Sequence, residues 1–205
     1  RNLIKNREAG LSDQWLRDLG DKWWTGLLPT SADAPGIDPQ TGAFTILPSP
    51  DLSAGVSRRD ALRLFQNSWM STDLIFSGLT SLESFYRPPY HNQRHPMIFY
   101  FAHPAALYIN KFRVAGLLTD PVDASFESLF ETGVDSMSWD CLNKNDEIWP
   151  TLAECIEYKR KVYHKVVEVI QSHPSLDSGK PIKPEDPIWT LFLCIAHEAI
   201  HLETS

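Results

Sequence analysis

Cysteine and basic clusters are both scarce in this 205-residue chain. The three cysteines, Cys141, Cys155 and Cys194, are an odd number with no Cys-x-x-Cys spacing. That pattern argues against a disulfide framework and predicts a reducing, cytoplasmic setting. Lys and Arg number 19 against 26 Asp and Glu, and the net charge is -7. An extended nucleic-acid footprint needs clustered cations, so nucleic acid is not an expected partner. The most apolar stretches, 96–109 and 188–196, are too short or too broken by His and Pro to cross a bilayer, so no membrane partner is expected. The opening residues RNLIKNREAG lack both an initiator Met and the apolar core of a secretory signal, so the chain reads as a piece of a longer protein. Strand signals are few and no internal repeat is evident.

What is present is helical. Organisation changes near residue 56. Before it lie a short amphipathic stretch over 13–27, with Trp15, Trp23 and Trp24, and a Pro-, Gly-, Ser- and Asp-rich tract over 28–55 that reads as loop wrapping the core. From Ser57, a plausible N-cap, Ala61, Leu62, Leu64, Phe65, Trp69, Met70, Leu74, Ile75 and Leu79 recur at spacings of three and four. A second helix is predicted from His95-Pro96 to about Ala115, just before Gly116, and a third from about Thr151 to Ser172. The fourth opens at Asp186-Pro187 and runs to the end, while 125–131 adds a turn or two and 133–150 is irregular. The fold class is therefore all-α. Residues 57–205 form a four-helix bundle, preceded by an irregular Trp/Pro-rich extension over 1–56.

The chemistry concentrates in the last helix, at His197-Glu198-Ala199-Ile200-His201. Residues four apart on a helix lie only ~40° apart around its axis, so both imidazoles can reach one metal ion. The surrounding residues Ile188, Leu191, Phe192, Ile195, Ala196, Ala199 and Ile200 put the pair on or beside a buried face. A metal needs more donors. His91, His95, His164 and His173 occur in polar or helix-end contexts and are expected to be solvated. His103 lies in the apolar run FYFAHPAALYIN, so His103, His197 and His201 form the candidate ligand set, three neutral nitrogens with open positions left on the ion. Cys194 is expected to be a core thiol. Glu198 projects ~100° from His197, which suits a supporting or structural role better than coordination. Three imidazoles accept Zn, Fe, Co or Ni, so the metal stays open at this point.

A zinc peptidase is the obvious competitor for His-Glu-x-x-His. In that class the third ligand lies well downstream, whereas only Leu202 to Ser205 follow here, and no sheet is predicted to align a peptide.

Three segments carry a more specific likeness: HPMIFYFAHPAALYINKFRVAGL, GVDSMSWD and HEAIHLETS. Together they resemble the N-terminal domain of 5-histidylcysteine sulfoxide synthases, the ovothiol synthases, and more distantly the ergothioneine sulfoxide synthases. The likeness covers roughly residues 60–205. It implies a DinB-like bundle that holds Fe(II) through His103, His197 and His201, with Glu198 and Thr204 in supporting positions. It also implies that O2 is used to join cysteine sulfur to a histidine imidazole carbon. The remaining catalytic residues would come from a formylglycine-generating-enzyme-like domain in the same polypeptide, so this chain alone is expected to be inactive. Ser136 and Cys141 stand where the family pattern is acidic, and Pro104 follows the proposed ligand inside its helix, where it should remove a backbone bond and bend the helix. Asp135, Trp139 and Asp140 match the motif, with loop capping and core packing as the alternative to substrate contact. A metal-dependent thiol transferase of the wider DinB-like group, or a non-catalytic bundle, is the alternative to the synthase.

Overall fold

The computed structural model describes residues 34–79, 81–91, 94–131 and 149–204. Among them are six α-helices and no strand, apart from an isolated antiparallel bridge between Ile37 and Phe44. No helix of the described residues is long and apolar enough to cross a membrane.

Local chemistry sets the helix limits. Helix α1, Arg58–Phe76, is capped by Ser57, whose side chain accepts from the Asp60 amide at 3.0 Å. It ends three residues before Leu79, in tight turns from Ile75 to Gly78 and Phe76 to Leu79. After the short α2, Leu82–Tyr86, helix α3 spans Met97–Val114 from a Pro96 N-cap. Gly116, at φ +74°, ends α3 with paired bonds from Leu117 to the Phe112 carbonyl and from Gly116 to the Arg113 carbonyl, an arrangement that favours glycine. The segment expected to add a turn or two is a helix, α4, Ala124–Glu131. Helix α5, Leu152–Ser172, opens with a reciprocal box in which Thr151 and Glu154 bond each other's backbone amides. Helix α6, Trp189–Thr204, follows Asp186, whose carboxylate accepts from the Ile188 amide.

The helices α1, α3, α5 and α6 pack around one core. Phe65 meets Tyr108 and Phe76 meets Phe101, so α1 and α3 run in opposite senses. Phe65 also meets Tyr163, while Asp73 meets Lys159, which makes α5 antiparallel to α1. Trp69, Phe65, Phe101 and Tyr108 are fully enclosed at the centre. Arg58 closes one end by donating to the carbonyls of Ile170 and His173 while pairing with Asp177 at 2.6 Å. The described part of the N-terminal tract lies against α1. Asn67 donates to the carbonyls of Pro35 and Thr45 and accepts from the Leu47 amide, and a side chain at Gly36 would collide with it.

Helix α3 runs on through Pro104, which cannot donate to the Tyr100 carbonyl. In the same turn the Phe101 carbonyl lies 3.4 Å from Lys159 Nζ. This lysine is buried, 3.0 Å from the equally buried Asp73 and over the rings of Phe101 and Trp69 at 4.3 and 4.9 Å. Burial pushes the Asp73 carboxyl up, and Lys159 pulls it back. A buried pair is costly to break and cheap to replace as a unit. Lys159→Met should therefore cost ~3–5 kcal/mol in chemical denaturation by stranding a buried carboxylate, whereas the Asp73→Leu, Lys159→Met double variant should recover most of that loss. A double variant no more stable than the single one would contradict this account of the core.

Candidate metal centre

Helices α3 and α6 bring the three expected histidines together. His103 is almost fully buried, His197 and His201 half-buried, and one ring nitrogen from each lies within 4.8 Å of the others. Ring centroids are separated by 5.2 Å for His103 and His197, 4.7 Å for His103 and His201, and 4.5 Å for His197 and His201. The Nε2 atoms of His197 and His201 are 3.3 Å apart. Two metal–nitrogen bonds of ~2.1 Å spanning such a gap would meet at an angle of ~105°, close to tetrahedral. The spacing fits a shared ion.

Backbone chemistry prepares His103 for the task. Its Nδ1 lies 2.6 Å from the Phe130 carbonyl, which can only accept, so Nδ1 carries the proton and Nε2 keeps its lone pair. The carbonyl is held by α4. Glu127, buried in that helix, accepts from the amides of Val122 and Asp123 and faces Arg113 of α3 at 3.6 Å, while Asn110 of α3 donates to the Glu127 carbonyl. Phe99 stacks on His103 at 4.9 Å and 17° between planes.

Electrostatics keep the set neutral. Burial, then the neighbouring His201 and His197, hold His103 down to about 3, and burial followed by His201 and Lys111 holds His197 at about 4. His201 is lowered by burial and by Arg94. Neutral imidazole is the form that binds a metal. The buried Nδ1 of His197 has no hydrogen-bond partner among the described residues.

Glu198 is fully buried on another side of α6 and accepts from Thr72 at 2.6 Å, Ser68 at 2.9 Å and Tyr108 at 3.1 Å. Of the two roles expected for it, the geometry gives the structural one, since none of these partners is a histidine of the cluster. Burial raises its pKa, countered by Thr72, Lys159, Ser68 and Tyr108. A carboxylate so enclosed is badly placed to activate water, which further disfavours the peptidase reading.

Thr204 stands at the end of α6, with both of its polar groups engaged. Its hydroxyl donates to the Ile200 carbonyl and its own carbonyl accepts from Arg94. Cys194 is a buried free thiol, with its pKa pushed up by burial and by Glu198.

No protein-family model and no curated protein matches this chain.

Among the remaining histidines, His91 and His164 are exposed and His173 caps the end of α5. His95 departs from expectation. It is half-buried and packs against Phe99 at 4.2 Å with the rings tilted by 32°, because the aromatic side chain one turn into α3 shelters it. Asp135, Ser136, Trp139, Asp140 and Cys141 lie outside the described residues, as does the Trp-rich stretch 13–27. The Phe130 carbonyl, which no side-chain pattern announces, and the Ser68, Thr72 and Tyr108 hydroxyls lie outside the set of residues expected from the sequence. Ser68 and Thr72, four apart on an otherwise apolar stripe, were the available signal for a buried acceptor.

Two outcomes test the centre. Replacing His103, His197 or His201 by Ala should each abolish stoichiometric binding of a divalent ion in equilibrium titration, while His164→Ala leaves it intact. Equal loss in all four would mean unfolding rather than ligand removal. The second test is pH. His103 in the folded chain sits well below the ordinary histidine value of 6.5, so below about pH 6.5 the unfolded chain takes up a proton that the folded one refuses. Stability of the metal-free protein should therefore fall as the pH drops from about 6.5 toward 3, with a shallower slope in His103→Gln. Parallel slopes would show that His103 is not the group responsible.

Proposed function

We propose that this chain is the DinB-like, Fe(II)-binding half of an O2-dependent sulfoxide synthase that joins cysteine sulfur to a histidine imidazole carbon. One observation carries the reading: three neutral imidazoles from two helices converge at metal-binding spacing, with the tautomer of His103 set by a backbone carbonyl. The likeness of the three sequence segments described above supplies the reaction. The overall chemistry balances: a thiol S–H and an imidazole C–H are lost, a C–S bond and a sulfoxide form, and O2 provides one oxygen to sulfur and one to water.

When bound, Fe(II) supplies a redox-active Lewis acid with open positions. The chain's own work is to hold His103, His197 and His201 neutral and aimed. Because these donors carry no charge, the site keeps the positive charge of the ion and favours a thiolate. Phe99 and Tyr100 wall one side, the Tyr100 ring lying 5.9 Å from that of His201. Elsewhere on α6, Leu193 and Ile200 remain 41% and 56% exposed. These side chains suit burial against a formylglycine-generating-enzyme-like domain of the same polypeptide, which would complete the pocket. We assign the protein to the reducing cytoplasm on its three cysteines, an odd number without Cys-x-x-Cys spacing.

The test is anaerobic loading with Fe(II), addition of L-cysteine and L-histidine, admission of O2, and mass spectrometry of the products. The 205-residue chain should bind the metal but leave the amino acids uncoupled, because proximity and orientation need walls it lacks. The same chain joined to the partner domain should yield histidylcysteine sulfoxide. No coupling by the joined protein, or coupling at its full rate by the chain alone, would contradict this reading.

A further inference from the structure

A cavity of about 380 Å³ opens beside the histidine cluster, between the segment after α2 and the start of α3. It borders the cluster through Tyr100. Tyr100 lines the cavity while its ring lies near His201, and Thr204, three residues beyond His201, forms another part of the wall. The volume falls within the ~300–1,000 Å³ usual for small-molecule sites.

Its charge is unlike that of the chain. The protein carries a net charge of -7, yet the described residues lining this cavity include Arg87 and Arg94 and no carboxylate. Arg94 spends one nitrogen, Nη1, on the Thr204 carbonyl at 2.9 Å, and a guanidinium has five N–H donors in a fork that matches a carboxylate. Arg87 pairs with Glu83 only loosely, at 3.9 Å, with both side chains more than two-thirds exposed. A pair so exposed is worth little, so an incoming anion competes with it easily. The start of α3 adds to this field. Met97, the first residue of that 18-residue helix, lines the cavity, and no side chain caps the helix there, which leaves its positive end to the cavity.

From this cavity, its two arginines and its contact with the cluster through Tyr100, we infer a binding site for the α-carboxylate of an amino acid whose other end reaches the three histidines. The inference rests on the preceding functional reading for the kind of amino acid, thiol- or imidazole-bearing. It rests on the cavity alone for the carboxylate. Arg94 is the principal anchor, since its contact with Thr204 fixes its guanidinium beside the last turn of α6, and Arg87 contributes from the end of α2.

The test compares L-cysteine with cysteamine and L-histidine with histamine, pairs that differ in the carboxylate, by ligand-observed NMR titration of the full chain, metal-free and loaded with Zn(II). At least one pair should show a preference of tenfold or more for the carboxylate form, with and without zinc, and that pair names the amino acid. Arg94→Met should erase the preference, Arg87→Met should reduce it, and Arg94→Lys should retain part of it. Arg63→Met, an exposed change on α1, should leave it untouched. Absence of any preference, a preference seen only with zinc, or one that survives both arginine changes would overturn the site. A preference that holds while zinc fails to bind would uphold the cavity and remove the metal reading instead.

Discussion

The rotation of α6 about its own axis governs the site, and the buried carboxylate of Glu198 sets that rotation. Thr72 and Ser68 on α1 and Tyr108 on α3 all donate to it, so one side chain ties three helices at a single depth. Successive helical residues project ~100° apart, so fixing Glu198 between α1 and α3 leaves His197 and His201 on the flank toward His103. A turn of α6 by one residue would bury an imidazole among hydroxyls and strand a carboxylate. Each unsatisfied buried polar group costs ~1–3 kcal/mol, and more when charged, which makes the observed rotation strongly preferred.

A second constraint acts from the other side. The Phe130 carbonyl takes the Nδ1 proton of His103, and α4 keeps that carbonyl in place through the buried Glu127 and its ties to α3. The ligand is thus prepared by a helix that contributes no ligand. Phe99 connects this arrangement to the cavity beyond it, since it stacks on His103 and also packs, tilted, against His95, which lines the cavity. Cluster and cavity therefore share the same aromatic wall at the start of α3.

Much of this was legible in the sequence because it is local. Ser57, Pro96, Thr151 and Asp186 mark the helix starts, and the structure uses each of them to cap or open the helix expected there. The pair His197 and His201 declares itself by spacing, and His103 by its place in the most apolar segment. What could not be read depends on which helix faces which. The Asp73 and Lys159 pair joins residues 86 positions apart, and nothing in either helix alone shows that a charge is to be buried. The role of Phe130 belongs to its backbone, which every residue has. His95 looked solvated because its sequence neighbours are polar, while the ring that shelters it comes one turn later. The cavity combines the loop after α2 with the last turn of α6, a closeness that only the packing of α3 against α6 creates.

The most direct measurement is X-ray absorption at the iron edge of the Fe(II)-loaded chain, prepared without oxygen. The account predicts three imidazole scatterers at ~2.0–2.2 Å, falling to two in His103→Ala if that variant retains any metal. A spectrum with oxygen ligands and at most two imidazoles in the unaltered chain would contradict a centre built from His103, His197 and His201.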